Sequence, residues 1–192
     1  MKQTLIVFVQ DEPGVLNRVS SYIRRKNFNI ESISAGQTEK QGITRITLVL
    51  NEPNKTKQNI VVSSLKQLVD VYDVTDATKI KSHIREYVLI KIKLNPKKEK
   101  EFYEIIDQHN HNVISSENEI FIIEITGYEE DIESVINSLI QFEIIEIVRS
   151  GKVAMVSGDE FHHKPDLMKT SPNSTTFRIS DQRGKFNEKI KH

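Results

Sequence analysis

The sequence contains neither cysteine nor tryptophan in its 192 residues. Without cysteine, the chain cannot form a disulfide, use a thiolate as a nucleophile or bind a metal ion through a thiolate. Lysine and arginine number 27, and aspartate and glutamate also number 27, so the formal net charge is zero. Because neither sign is in excess, no overall field favours nucleic acid or an anionic membrane as a partner.

Long hydrophobic runs are also absent. The longest uninterrupted apolar run covers residues 5–9, far short of the roughly 20 residues that a membrane-spanning helix needs. Residues 1–3, Met-Lys-Gln, lead directly into this run, without the pattern of a secretory signal. We therefore expect a soluble protein that stays in the compartment where it is made, a cytoplasm or a plastid stroma.

The first half of the chain alternates strand and helix patterns. Its apolar periodicity predicts four strands and two helices in the order βαββαβ, the ferredoxin-like arrangement. The predicted strands are 4–10, 30–37, 43–50 and 71–75, and the predicted helices are 15–26 and 55–69. The first strand is almost wholly apolar, which predicts either burial on both faces or a place at a dimer seam.

The second half repeats this order with a period of about 80 residues. Asn95 and Pro96 predict an N-cap and first turn for a helix that carries Phe102, Ile105 and Ile106. The other predicted elements are strands over 87–94, 112–115, 119–126 and 144–148 and a helix over 131–140. The predicted fold class is therefore α+β, with two ferredoxin-like βαββαβ domains in tandem.

We place the domains at residues 1–78 and 84–158, with the boundary in the polar stretch between them. Beyond residue 158 the apolar residues lose any period and stand among many polar ones. A segment of that kind cannot bury enough apolar surface to offset the entropy of ordering. We therefore predict a disordered tail over residues 159–192.

Residues 11–16, Asp-Glu-Pro-Gly-Val-Leu, connect the first predicted strand to the first helix. The first N–H groups of a helix lack intrahelical partners and carry the positive end of its dipole, so a ligand carboxylate is well placed there. Gly14 permits close approach of a ligand. Proline and glycine are also ordinary turn residues at helix starts, so the segment alone leaves both interpretations open.

Together with this loop, several further segments resemble the regulatory small subunits of acetolactate synthase (acetohydroxyacid synthase), which belong to the ACT domain family. The resemblance spans residues 1–158 and preserves the order and spacing of the matching segments. These segments are residues 27–33, 38–39, 44–46, 66–71, 85–91 and 146–151.

The resemblance implies that residues 1–78 form an ACT domain, which pairs with that of a second small subunit in a homodimer. Valine, the effector, then binds at the interface between the two. By this resemblance Gly14, Val15 and Leu16 offer backbone N–H groups to the carboxylate of valine. Asn29 and Ile30 close the site from the partner chain.

Asp11 departs from the asparagine that is common at its position in the family. An acid at residue 11 has two opposite consequences. It pairs with the ammonium group of the ligand, or its charge beside the ligand carboxylate weakens binding. The sequence leaves both open.

The resemblance also implies that this chain is not itself an enzyme. The large catalytic subunit of the family, a transferase, binds thiamine diphosphate, Mg²⁺ and FAD and condenses pyruvate with a second 2-keto acid. This chain is expected to hold no cofactor, to activate that subunit and to transmit feedback inhibition by valine in branched-chain amino-acid biosynthesis. The serious rival is an ACT-type amino-acid sensor that serves a different partner.

Other classes of site fit the sequence poorly. The histidine pairs at 109 and 111 and at 162 and 163 lack a third ligand at a recognisable spacing, so we expect solvated side chains and no metal. An RNA-recognition motif shares the βαββαβ order but stacks bases on aromatic residues, and the predicted strand 43–50 has none. In an acylphosphatase-like enzyme, the acids Asp11 and Glu12 would repel phosphate.

Overall fold

The structure, a computed structural model, describes residues 2–109 and 111–158. It contains two four-stranded antiparallel sheets, each packed against helices on one face. This confirms the predicted α+β class with two ferredoxin-like domains. The predicted disordered tail lies outside the described residues.

The first domain has the strand order β2-β3-β1-β4. Alternate residues of β1, among them Leu5 and Val7, point into a core that also receives Val19 and Ile23 from α1. This spacing of four residues on α1 is the helical period that the sequence showed. The elements are β1 (Lys2–Gln10), α1 (Val15–Arg25), β2 (Ile30–Gln37), β3 (Ile43–Asn51), α2 (Lys55–Leu65) and β4 (Val71–Asp76).

The second domain repeats this topology with the order β6-β7-β5-β8. Its core contains an aromatic group in which Phe102 packs against Phe121 and Phe142, with ring centroids 5.2 and 5.8 Å away. The elements are β5 (Ser82–Lys93), a 3-10 turn (Pro96–Lys98), α3 (Glu99–Gln108), β6 (Asn112–Glu117), β7 (Ile120–Gly127), α4 (Glu129–Leu139) and β8 (Glu143–Val156).

Three predicted element ends were wrong. Helix α2 ends at Leu65, not at residue 69, because Lys66 to Leu68 continue as tight turns. Strand β5 begins at Ser82 and β8 runs on to Val156, whereas the predicted strands were 87–94 and 144–148. The other predicted ends lie within two residues of the observed ones, apart from the 3-10 turn that precedes α3.

The extensions of β5 and β8 form a two-stranded arm that pairs Ser82 with Val156 and packs on the first domain. It covers the face of β1 that points away from the helices, where Ile6 is 2% exposed and packs with Ala77 and Ala154. Strand β1 is thus buried on both faces, as predicted. Because its cover comes from the same chain, the apolar outer face of β1 gives no support to a dimer seam there.

Candidate functional site

The loop at residues 11–16 is held in place by backbone hydrogen bonds. The N–H of Asp11 donates to the carbonyl of Gly42 at 2.9 Å, and the N–H of Glu12 donates to that of Gln10 at 3.0 Å. Gly14 follows with φ 86°, a left-handed conformation, and begins α1 without a side-chain cap. Glycine adopts this conformation at little cost, whereas most side chains are strained there.

The start of α1 leaves backbone donors open. Among the described residues, no hydrogen-bond acceptor faces the N–H of Gly14 or of Leu16. The N–H of Val15 makes a long bond to the carbonyl of Glu12 at 3.3 Å, and the N–H of Arg18 makes the first helical bond. Two of the three predicted donors are therefore free for an anion, and the third is weakly engaged.

The side chains of Val15 and Leu16 lie in different surroundings. Val15 is 2% exposed and belongs to the core, so only its backbone faces a ligand. Leu16 is 46% exposed and supplies apolar surface beside the open donors. An aliphatic amino acid matches this combination, because its carboxylate and its side chain each find a suitable partner.

Charged groups surround the loop. The Asp11 carboxylate accepts a hydrogen bond from Thr44 Oγ1 at 2.8 Å. The Arg18 guanidinium forms an ion pair with Asp70. Burial raises the pKa of Tyr72, and the negative charges of Asp70 and Glu12 raise it further. Acids thus lie close to the loop and suit an ammonium group.

Arg18 is the residue of this region that the sequence reasoning missed. Its Nη1 atom would lie 3.5 Å from a Cβ atom placed on Gly14, which puts the guanidinium next to the open helix start. The spacing of four residues from Gly14 was the available signal, because residues four apart share one helix face.

Asn29 and Ile30 lie at the opposite end of the same sheet. Ile30 pairs with Leu50 of β3, whereas Gln10, just before the loop, pairs with Ile43. The seven residue steps along β3 from Ile43 to Leu50 span roughly 24 Å. The structure therefore brings Asp11, Gly14, Val15 and Leu16 together but keeps Asn29 and Ile30 away from them within one chain.

The side chains of these two residues differ. Asn29 is exposed, and its backbone carbonyl accepts from the N–H of Asn51 at 3.1 Å. Ile30 is half-buried against the first core. The Asn29 side chain makes no hydrogen bond within the described part of the chain, so it is open to a ligand or to a second chain.

The histidine pairs are the other candidate centres of the sequence. In residues 2–109 and 111–158, no three histidine, aspartate or glutamate side chains are placed to hold a metal ion. The rings of His109 and His111 stack with centroids 6.1 Å apart, and burial lowers the pKa of His111. His162 and His163 lie outside the described residues. No described helix is long and apolar enough to cross a membrane.

Fold and loop together define a class, the tandem ferredoxin-like proteins with an N-terminal ACT domain. Two family models match the chain: the AHAS small subunit-like ACT domain over residues 5–73, and the small subunit of acetolactate synthase over residues 85–158. The relatives of the chain are also acetolactate synthase small subunits. This chain belongs to the family of acetolactate synthase small subunits.

Among those relatives, the probable acetolactate synthase small subunit of Archaeoglobus fulgidus is 36% identical over 83% of this chain and 99% of its own length. The acetolactate synthase small subunit of Bacillus subtilis is 32% identical over 83% and 93%. The crystal structure of the acetolactate synthase small subunit from Thermotoga maritima superposes with a TM-score of 0.74, at 31% identity, over 83% of this chain and 99% of that one.

Proposed function

We propose that this chain is the regulatory subunit of an acetolactate synthase, in a bacterial cytoplasm or a plastid stroma. In this proposal it activates the large catalytic subunit and makes that subunit sensitive to feedback inhibition by valine. The observation that carries the proposal is the open helix start at Gly14 and Leu16, where two backbone N–H groups have no acceptor among the described residues.

Valine fits this loop by three kinds of contact. Its carboxylate accepts from the open N–H groups and lies near the Arg18 guanidinium. Its ammonium group is attracted to Asp11, and its isopropyl group lies on the exposed side chain of Leu16. A carboxylate at an uncapped helix N-terminus is favourable, because the partial charges of the free N–H groups face it.

A complete site requires two copies of the chain. Asn29 and Ile30 lie roughly 24 Å from the loop of their own chain, so only a second copy can contribute them. Strand β2 is at the edge of its sheet. If two β2 strands run antiparallel side by side, the start of one lies beside the end of the other, which is the sheet end that holds Gly14. We therefore propose a homodimer through the ACT domains.

Inhibition follows from differential binding. Valine lowers activity only if it binds one conformation of the complex more tightly than another, and such couplings are typically about 1–3 kcal/mol. The catalytic chemistry stays with the large subunit and its thiamine diphosphate, Mg²⁺ and FAD. This chain supplies the effector site and the contact that alters the large subunit.

The test is acetolactate formation from pyruvate by the cognate large subunit, with and without this protein, each with and without millimolar valine. We expect activation by this protein and its reversal by valine. Activation without valine sensitivity would leave the effector unidentified and refute the valine assignment. No effect in any condition would favour the rival, an ACT-type sensor that serves another partner.

A further inference from the structure

Strand β8 contacts the first domain at a β-bulge. Glu86 of β5 pairs with Lys152 and Val88 pairs with Arg149, so two residues of β8, Ser150 and Gly151, stand opposite one. Gly151 has φ 76°, and a Cβ atom there would lie 3.3 Å from Ser32 Cβ of strand β2. The bulge of the second domain thus touches β2 directly, and the absence of a side chain at residue 151 permits the contact.

Four charged side chains surround this contact: Lys2 and Glu31 of the first domain, and Glu129 and Lys152 of the second. We call them the interdomain cluster. Lys2 Nζ lies 2.7 Å from Glu31 Oε1 and also pairs with Glu129. Lys152 Nζ lies 2.6 Å from Glu129 Oε2 and 3.9 Å from Glu31 Oε1. Each acid therefore contacts one cation from each domain.

The cluster is sensitive to the loss of any one partner, because part of it is withdrawn from water. Lys152 is only 8% exposed. Hydrogen bonds to Glu129 and Glu31 raise the pKa of Lys2. Burial alone would raise the pKa of Glu129, yet hydrogen bonds from Lys152 and Lys2 lower it. Removing one partner from such a group leaves the others poorly compensated, so the contact responds sharply to small displacements.

The neighbours of the cluster connect it to both halves of the molecule. Arg149, next to the bulge, pairs with Glu86 at 3.0 Å and with Glu133 of α4 at 2.8 Å. On the other side, Glu31 directly follows Ile30 at the start of β2. A shift at the start of β2 therefore displaces groups that are bonded to β8 and to the first turn of α4.

The contact also contains an unsatisfied group. Ser32 Oγ is buried and has no hydrogen-bond partner among the described residues. A buried hydroxyl without a protein partner is costly, so the contact between β2 and β8 is less stable than it would be with that hydroxyl bonded.

We propose that the interdomain cluster and the bulge at Ser150 and Gly151 couple the effector site to the second domain. This inference rests on the proposed function, because Asn29 and Ile30 belong to the proposed valine site. Valine bound against the start of β2 favours one position of Glu31 and Ser32, and the cluster transmits that position to β8 and α4. The Arg-Ser-Gly segment at 149–151 thereby acquires a role in regulation.

The experiment compares Lys152→Met with Lys91→Met in the full chain. Lys91 pairs with Glu146 at 2.9 Å on the exposed face of the second sheet, within one domain, so it is a matched control. Lys2→Met, at the exposed end of the cluster, is a second variant that leaves the buried part in place. Three quantities are measured: valine binding by calorimetry, valine inhibition of the complex, and hydrogen exchange of residues 30–37.

For Lys152→Met we expect valine binding within about twofold of wild type, but a valine concentration for half-inhibition that rises about fivefold or more. Exchange of residues 30–37 rises about threefold or more even without valine, although the substitution lies in the other domain. Lys2→Met gives smaller changes in the same direction, and Lys91→Met gives none.

Faster exchange confined to residues 149–156, or unchanged inhibition in Lys152→Met, would overturn the coupling. If the proposed function itself is wrong, the experiment gives a different result. In that case the wild-type chain binds no valine or the wild-type complex is not inhibited. The exchange of residues 30–37 then still decides whether the cluster connects the two domains.

Discussion

The two domains share one topology but treat the start of their first helix in opposite ways. In the first domain, Gly14 leaves the N–H groups of α1 open, and the first turn contains no acid. In the second, a 3-10 turn precedes α3, and the Asn95 side chain caps that turn by accepting from the N–H of Lys97 at 3.0 Å. Helix α3 itself has no side-chain cap, but Glu99 and Glu101 stand in its first turn. A duplicated fold therefore leaves an anion site open in one domain, whereas a capped 3-10 turn and two acids close the corresponding place to anions in the other.

One of the two helix starts favours the stability of its helix, and the other favours the binding of a ligand. A capped start with acids nearby stabilises its helix, because the cap pairs an orphan N–H and the acids face the positive end of the dipole. An open start gives up that stabilisation and keeps the donors available. The loop of the first domain is thus the one that a carboxylate ligand can use.

The largest change in valine inhibition is expected from a carboxylate added at Gly14, with a carboxylate added at Asn95 as the matched change in the second domain. Gly14→Asp places a negative charge where the ligand carboxylate lies, so the valine concentration for half-inhibition rises about tenfold or more. Asn95→Asp adds the same group at the closed start and leaves valine inhibition unchanged. Inhibition assays of the two reconstituted complexes check this, and equal effects would remove the distinction between the domains.

The Gly14→Asn variant distinguishes the effect of charge at residue 14 on valine inhibition from the effect of side-chain size. Aspartate and asparagine tolerate the left-handed conformation better than other side chains and have similar size. We expect Gly14→Asn to weaken inhibition less than Gly14→Asp, measured in the same assay. An equal loss in both variants would mean that bulk or backbone strain at Gly14, rather than charge, excludes valine.

Asn95→Ala removes the cap of the second domain. The N–H of Lys97 loses its partner, so the free energy of unfolding falls by about 1 kcal/mol. Urea unfolding followed by circular dichroism measures the loss, with Asn95→Asp as the control that keeps a capping oxygen. If Asn95→Ala were as stable as wild type, the second helix start would not depend on its cap.

Asp11→Asn tests the acid of the open loop. Asparagine keeps an oxygen for the hydrogen bond from Thr44 but removes the charge that attracts the ammonium group of valine. The valine concentration for half-inhibition is therefore expected to rise about threefold. A fall instead would show that the Asp11 charge acts mainly on the ligand carboxylate.

The smallest expected effect is a pH dependence of the contact between the domains. Because the folded-state pKa of Glu129 lies below its ordinary value of 4.5, its stabilisation is fully present above that value and is lost as the pH falls through the lower, folded-state pKa. Thermal unfolding between pH 7 and pH 3 measures this loss. The Glu129→Gln variant should lose less stability over the acidic part of that range, and an identical decline in both proteins would exclude Glu129 as a contributor.

The sequence predicted the topology well because local patterns determine it. Apolar residues recur with helical or strand periods in all the main elements, and Asn95 was correctly identified as a cap. The predicted end of β8 was wrong because contacts with distant parts of the chain, which local patterns do not show, extend the strand. Lys152 looks like a solvated residue in sequence, but ion pairs with Glu31 and Glu129, distant along the chain, compensate its burial.

The candidate site was predictable only in part. The loop at 11–16 is contiguous, so its sequence indicated the helix start and the need for glycine. The proximity of Arg18 depends on its rotamer, and the cover of β1 by Ala154 depends on the path of a strand more than 140 residues later. The distance between Gly14 and Asn29 emerges only from the strand register.

Mixed dimers distinguish a valine site shared by two chains from a site within one chain. Gly14→Asp and Asn29→Ala each damage every site of their own homodimer. In a mixed dimer one site carries both changes and the other carries neither. Random mixing therefore restores about a quarter of the wild-type valine sites, measured by calorimetry. If mixing restores no binding while each variant remains dimeric, the site lies within one chain and the shared site is refuted.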